Sequence, residues 1–125
     1  MQISWQRDES PYAVSGIDGI RVRIGAEWRE HSLYVHPRNI SPWRPQLPAE
    51  ITREDLDVLL AESPDVILIG TGAQVCLLPP ALQVHVLRRG IGVECMSNAA
   101  AARTYNVLLG EGRAVLAAFL ITPAQ

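Results

Sequence analysis

Hydrophobic and polar residues alternate near the start of the chain, in the pattern of a half-buried sheet. The run Ile20–Ile24 places isoleucine or valine at every second position, with arginine between them, as expected for a strand with one face in the core. Asp18-Gly19, just before this run, is a strong signal for a two-residue hairpin that pairs it with residues 12–16. A third strand is predicted over residues 32–36. We therefore expect a small antiparallel meander in this part of the chain.

The segment from Pro37 to Pro48 has no repeated period and holds four prolines. Proline lacks a backbone donor and disfavours helix in the residue before it, so an extended loop is predicted. Trp43 and Arg44 lie in the middle of this loop. Such residues are enriched at protein–protein hot spots, and a proline-stiffened loop loses less entropy on binding. Either the two residues form an interface with a protein partner or a second copy of the chain, or Trp43 folds back over one end of the core.

After residue 50, helical and strand patterns alternate. Thr52 is followed three positions later by Asp55, which indicates the capped start of a helix. The apolar run after that helix is typical of a strand buried on both faces of a parallel sheet. This alternation implies βαβ crossovers and a parallel sheet. The predicted elements are helices that begin after Thr52, near Pro80 and at Ser97 or Asn98, and strands over residues 65–70, 92–96 and 114–121.

Composition is that of an ordinary globular protein. Of the 125 residues, 48% are hydrophobic and 19% are charged, with a formal net charge of −2, and this length suits a single domain over residues 1–125. Lysine and arginine are not clustered as nucleic-acid binding requires, and no apolar stretch approaches the roughly 18 residues of a membrane span. The first residues lack the pattern of a secretory signal, and two cysteines are too few for a disulfide framework. We expect a cytoplasmic protein that binds no nucleic acid and does not insert into a membrane.

The apolar run Asp65–Gly70 leads into a Gly-Thr-Gly that matches part of a dinucleotide-binding loop. The full fingerprint needs a third glycine and a helix that begins at once, because the helix N-terminus holds the pyrophosphate. In this chain Val75 occupies the position of the third glycine, and the next helix is predicted to begin only near Pro80. We therefore predict a tight turn here and no cofactor.

Ligands of open α/β sheets gather beyond the carboxyl ends of the parallel strands. If the domain binds a small molecule, we expect its pocket there, with an arginine and an asparagine contributed by one face of the last helix. The alternative for those two side chains is a structural hydrogen bond near the core. The candidate pocket residues are Gly70, Thr71, Gly72, Ser97, Asn98, Arg103 and Asn106.

No group of residues indicates catalysis or a metal site. His31, His36 and His85 lack the short spacings of metal ligands. Cys76 and Cys95 have no clear activating neighbour, so we expect them to be small buried hydrophobic residues. We predict neither a catalytic residue nor a metal ligand.

Four motifs in the second half carry a resemblance to a known family. They are P-D-V-I-L-I-G-T-G, L-L-P-P, G-I-G-V-E-C-M and A-A-R-T-Y-N-V-L-L-G-E-G-R-A-V, over about residues 64–121. The chain resembles a small, widespread α/β domain family of undefined biochemistry whose mitochondrial members include assembly factor 3 of respiratory complex I. The resemblance implies a three-layer α/β fold, with a mainly parallel central sheet, helices on both faces and an added antiparallel N-terminal part. It implies no established enzyme activity.

Two functions remain open from the sequence. The first is a non-enzymatic binding or assembly domain that acts on a protein partner, and the resemblance implies a role in complex I assembly for a bacterial, cytoplasmic member. The second is an enzyme or small-molecule binder that uses the candidate pocket. The lack of a nucleophile–base pair and of a complete phosphate loop favours the first.

Overall fold

A computed structural model of the protein describes residues 10–123 as eight strands, three α-helices and one short 3-10 helix. Residues 1–9, which entered the expectation that a secretory signal is absent, lie outside the described residues. The strands are β1 (Val14–Asp18), β2 (Arg21–Ile24), β3 (Glu27–Arg29), β4 (Leu33–His36), β5 (Asn39–Pro42), β6 (Val66–Gly70), β7 (Gly92–Met96) and β8 (Val115–Phe119). The helices are α1 (Arg53–Leu60), α2 (Pro80–Leu87) and α3 (Asn98–Gly110), and the 3-10 helix is Pro48–Glu50.

Strands β1, β2 and β3 form a three-stranded antiparallel sheet in that order. The hairpin between β1 and β2 is confirmed, but its loop lies one residue later than predicted, because Asp18 pairs with Arg21. The Asp18 carboxylate accepts a hydrogen bond from the backbone N–H of Ile20 at 3.1 Å, which stabilises the shifted turn. The third strand of this meander is β3, a three-residue strand that the sequence pattern did not indicate.

The second sheet has five strands in the order β5-β4-β8-β6-β7. Strands β8, β6 and β7 are parallel, as predicted, whereas β4 and β5 join antiparallel. The expected parallel part is therefore present within a mixed sheet. The expectation that the strand over residues 32–36 belongs to the meander was wrong, because this strand is β4 and pairs with β8. The expected proline loop also contains a strand, β5. Pro42 is tolerated in it because β5 is an edge strand, where a missing N–H need not break a ladder.

The five-stranded sheet has a hydrophobic cluster on each face, because successive residues of a strand point to opposite sides. In β8, Leu116 and Ala118 belong to one cluster, and Ala117 and Phe119 belong to the other. The first cluster includes the buried leucines of α1 and Val86 of α2. The second includes the buried residues of α3 together with buried residues of β1 and β2. The small meander is thereby packed on the same side as α3.

The helix starts follow the predicted capping residues. The Thr52 hydroxyl accepts a hydrogen bond from the Asp55 N–H at 3.2 Å, and the Asp55 carboxylate accepts one from the Thr52 N–H at 2.9 Å, which completes a capping box at α1. Helix α2 begins at Pro80, and Ser97 is the cap of α3. These starts are confirmed because each depends on local chemistry that the sequence displays.

Candidate functional site

The carboxyl ends of β6 and β7 lie side by side, with Gly70 paired to Met96. The Thr71 N–H donates to the Met96 carbonyl at 2.9 Å, and the Asn98 N–H donates to the Gly72 carbonyl at 2.8 Å. The Gly-Thr-Gly is thus joined to the turn that leads from β7 into α3. Gly72 has a φ of 100°, a conformation that favours glycine, so the predicted tight turn is confirmed.

Asn98 is the central polar residue of this junction, with only 5% of its surface exposed. Its side-chain oxygen accepts from the Gly72 N–H at 3.2 Å, and its side-chain nitrogen donates to the Leu120 carbonyl at 3.1 Å. A side chain at Gly70 would collide with this asparagine oxygen and press on the ring of Phe119. The glycine at position 70 is therefore required for close packing of α3 on the sheet.

The two hydroxyl groups of the candidate pocket are also engaged within the chain. The Thr71 hydroxyl donates to the Gln74 carbonyl at 2.6 Å and accepts from the Cys76 N–H at 3.1 Å. The Ser97 hydroxyl accepts from the Ala100 N–H at 3.2 Å as the cap of α3. Both hydroxyls therefore shape the backbone of the site.

A cavity of about 270 Å³ lies beside these residues, between the β1–β2 hairpin and the start of α3. Gly72, Ser97 and Asn98 line it, whereas Gly70 and Thr71 do not. The hairpin side of the cavity is contributed by residues 17–19, which the sequence did not connect with the pocket. This contribution depends on the docking of the meander on α3, and no local signal predicts it.

Arg103 and Asn106 lie away from that cavity and line a separate depression of about 200 Å³ between α3 and β1. Asn106 donates to the Val14 carbonyl at 2.8 Å and accepts from the Val14 N–H at 2.9 Å. The Arg103 side chain is exposed. The structure therefore divides the seven candidate residues between two places. The Asn106 side chain makes structural hydrogen bonds, which was the alternative to a role in ligand binding.

Tyr105 strengthens the same contact between α3 and the start of the meander. Its side chain is fully buried, and its hydroxyl donates to the Tyr12 carbonyl at 2.8 Å. Burial raises the pKa of Tyr105 far above its ordinary value. A larger cavity, of about 540 Å³, follows the same junction toward the end of α3. It is lined on one side by residues 13–15 and on the other by Asn106, Val107, Leu109, Gly110 and Glu111. No sequence pattern predicts this cavity, because its two walls are far apart along the chain.

Trp43 folds back onto the core and does not form an exposed interface, because its side chain packs in the core and only 5% of its surface is exposed. Its indole N–H donates to the Asp55 carbonyl at 3.1 Å. Arg44 is bound to the Asp55 carboxylate through two nitrogens, at 2.9 and 2.6 Å, and also contacts the Glu50 carbonyl. Burial tends to raise the pKa of Asp55, but Arg44 and Thr52 hold it below its ordinary value. The pair ties the proline-rich segment to α1, and the indole is not available to a partner.

A cluster of titratable side chains at the amino end of β8 was missed in the sequence. The Tyr34 hydroxyl donates to the Glu62 carboxylate at 2.8 Å, and His36 Nε2 lies 3.1 Å from the other Glu62 oxygen. His36 Nδ1 accepts from the Arg38 N–H at 3.2 Å. Burial lowers the pKa of His36 despite the opposing charge of Glu62. The spacing of two between Tyr34 and His36 was the available signal, since it places both side chains on one face of a strand.

Residues 10–123 contain no group of three histidine, cysteine or acidic side chains placed to hold a metal ion. Within the same range, every helix is too short or too polar to cross a bilayer. Cys95 is half-buried, whereas Cys76 is exposed, so the expectation of two buried cysteines was wrong for Cys76. Cys76 is exposed because it lies in the segment between β6 and α2, outside the sheet and the helices.

Comparisons with known proteins agree on one family. The model of a family described as protein of unknown function (DUF498/DUF598) matches residues 14–120. An uncharacterized protein of Rhodobacter capsulatus is 41% identical over 103 residues, which cover 81% of this chain and 77% of that protein. The crystal structure of a Bordetella parapertussis protein superposes with a TM-score of 0.83 at 35% identity, covering 88% of this chain and 95% of that one.

Another relative carries a functional name. NADH dehydrogenase (ubiquinone) 1 alpha subcomplex assembly factor 3 of Xenopus tropicalis is 33% identical over 91 residues, which cover 71% of this chain. The match covers 49% of that protein, so the chain aligns with about half the length of this assembly factor. The family match over residues 14–120 and these relatives together show that the chain belongs to the DUF498/DUF598 family.

Proposed function

We propose that this protein is a non-enzymatic binding domain that assists the assembly of a multisubunit complex, with respiratory complex I as the first candidate. The similarity to a complex I assembly factor over 71% of this chain supports the proposal. The observation that carries it is the engagement of the Thr71 and Ser97 hydroxyls and the Asn98 amide with backbone groups of the same chain. A catalytic group must be within hydrogen-bond reach of its substrate, and these groups are already used by the fold.

Exposed apolar side chains near α2 support a protein partner. Val84 and Leu87 lie three positions apart on α2, with 44% and 58% of their surfaces exposed, and Leu77 in the preceding segment is 70% exposed. Within α2 only Val86 is fully buried. Contiguous exposed apolar residues often mark protein interaction sites. We call Leu77, Val84 and Leu87 the α2 surface and propose it as the partner-binding region.

Deletion of the gene in its native host tests the proposed role. We expect less assembled complex I on native gels and lower NADH:quinone activity per amount of membrane protein, with the other respiratory complexes unchanged. Expression of the full chain should restore both measurements. Normal complex I content in the deletion strain would contradict the proposed role in complex I assembly.

Paired variants test the α2 surface. Leu87→Glu places a charge on this surface, whereas Val107→Glu places one on α3 at a side chain of similar exposure, 58% against 60%. Both proteins should retain the melting temperature of the parent chain, because both side chains are exposed. We expect Leu87→Glu alone to lose complementation of the deletion strain and capture of the partner. Equal complementation by the two variants would exclude the α2 surface.

A small-molecule binder is the second candidate, and the cavity of about 270 Å³ near Gly72 and Ser97 favours it. Ligand pockets are concave, with a few polar groups among apolar ones. A ligand of this cavity should shift the backbone amide resonances of Gly72, Ala73 and Ala99 in an NMR screen of metabolites. Shifts confined to other regions, or none across the screen, would count against this candidate.

A further inference from the structure

The two cysteines of the chain, far apart in sequence, come to the same end of the five-stranded sheet. Cys95 is the fourth residue of β7, and Cys76 lies in the exposed segment between β6 and α2. Thr71 connects their neighbourhoods, because its hydroxyl accepts from the Cys76 N–H at 3.1 Å and its backbone N–H donates to the Met96 carbonyl at 2.9 Å. The backbone of Cys76 is therefore held next to the end of β7.

Leu78 holds the segment on the other side of Cys76. Its side chain is buried in the same hydrophobic cluster against which Cys95 packs. Two residues of extended chain span about 7 Å, so Cys76 lies close to the cluster against which Cys95 packs. A disulfide needs Cα atoms roughly 4.4–6.8 Å apart, so its formation here requires the exposed segment to bring Cys76 to that distance from Cys95.

The environments of the two thiols differ. Cys76 is exposed and can meet a reagent from solvent, whereas Cys95 is half-buried. Burial raises the pKa of the Cys95 thiol, the Leu78 N–H acts in the opposite direction, and negative charge on Cys76 raises it further.

We propose that Cys76 and Cys95 form a reversible intramolecular disulfide, with Cys76 as the attacking thiol and Cys95 as the resolving thiol. The oxidant is a low-molecular-weight disulfide. The Cys76 thiolate attacks one sulfur of the reagent, forms a mixed disulfide and releases one thiolate. The Cys95 thiol then loses its proton, attacks the Cys76 sulfur and releases the second thiolate. Overall, two protein thiols are oxidised and one reagent disulfide is reduced to two thiols.

The bond would attach the segment between β6 and α2 to the edge strand β7. This segment carries Val75 and Leu77, which are 58% and 70% exposed. In the dithiol form, the segment is held near Cys76 by the Thr71 hydroxyl and by burial of Leu78. A covalent link restricts the open conformations of a loop, so we expect slower amide hydrogen exchange over residues 73–77 after oxidation.

Oxidation of the full chain with excess oxidised glutathione tests the proposal. Trypsin cuts after Arg88 and Arg89, so Cys76 and Cys95 fall in separate peptides, residues 54–88 and 90–103. We expect non-reducing mass spectrometry to show these two peptides linked within a monomeric chain, and dithiothreitol to separate them. A stable glutathione adduct on Cys76 with Cys95 still free would overturn the proposal, and so would a linkage between two chains.

Two comparisons separate a property of the fold from random thiol chemistry. Cys95→Ser should form a mixed disulfide with glutathione rapidly at Cys76. Cys76→Ser should form one much more slowly at Cys95. The parent chain should form the linked peptides at least tenfold faster when folded than in concentrated urea. Equal rates in the folded and unfolded parent chain would overturn the proposal without the use of either variant.

Discussion

Asn98 and Asn106 join α3 to neighbouring backbone at two places. Asn98 connects the start of the helix with Gly72 and Leu120, and Asn106 connects its middle with Val14. A buried amide without partners costs about 1–3 kcal/mol, so such side chains are stable only where the backbone groups meet them. These residues are therefore best understood as parts of the fold.

His36 makes stability depend on pH. Its folded-state pKa lies below the ordinary value of 6.5 because the ring is buried, and protonation of Nδ1 would break the bond from the Arg38 N–H. The unfolded chain then binds the proton more readily, so the free energy of unfolding should fall as the pH drops below about 6.5. Urea unfolding between pH 7.5 and 5.5 measures this loss.

The His36 contribution is isolated by His36→Gln, which cannot titrate. We expect this variant to be less stable at pH 7.5 but to lose less stability between pH 7.5 and 5.5 than the parent chain. His31→Gln is the control, because His31 is exposed. An unchanged pH dependence in His36→Gln would contradict the assignment.

Trp43 should contribute strongly to stability. Replacement with alanine removes a large core side chain and the bond from its indole N–H to the Asp55 carbonyl, and we expect a loss of roughly 3–5 kcal/mol in the free energy of unfolding. Trp28→Ala is the matched control, since Trp28 is 39% exposed and contacts Arg21 through a cation–π interaction. Thermal and urea unfolding give both values. A loss for Trp43→Ala no larger than that for Trp28→Ala would contradict burial in the core.

The loop after β6 depends on one backbone conformation. Gly72 has a φ of 100°, where a side chain is strained even though the space around it is open. Gly72→Val should therefore lower the free energy of unfolding by roughly 1 kcal/mol or more. Gly19→Val is the control, because Gly19 also has open space and no positive φ in this range. Equal melting temperatures for Gly72→Val and the parent chain would show that the loop adapts.

The contact between α3 and β1 is the principal link between the three-stranded sheet and the rest of the chain. Asn106→Ala removes both hydrogen bonds to Val14 and should lower the free energy of unfolding by about 1–3 kcal/mol. Hydrogen exchange should increase most at the Val14 amide. Arg103→Ala, one turn earlier on the same helix, should leave both measurements near the parent values. Unchanged exchange at Val14 in Asn106→Ala would contradict this role.

For the whole molecule, the order of elements predicts that NAD and ATP do not bind. A bound pyrophosphate needs the N-terminus of a helix directly after the glycine turn. Here Val75 takes the third glycine position, and α2 begins only at Pro80. Calorimetric titration with each nucleotide should show no binding at micromolar concentrations. A micromolar dissociation constant would mean that the turn holds phosphate by other means.

The sequence by itself determined the elements after residue 50 and much of their chemistry. The capping box at Thr52, the proline start of α2 and the serine cap of α3 involve residues within a few positions of one another, so they can be recognised locally. The parallel pairing of β6, β7 and β8 follows from the alternation of strands and helices. The four motifs over residues 64–121 likewise identified the family that the comparisons show.

Only the tertiary structure decided which sheet β4 joins, where Trp43 lies and how the candidate pocket is divided. Each of these depends on contacts between distant segments: β4 with β8, Trp43 with α1, and β1 with α3. A period-two pattern shows that a strand has a buried face, but it does not show which strand lies beside it. Many distant partners satisfy the same local pattern, and packing of the whole chain selects among them.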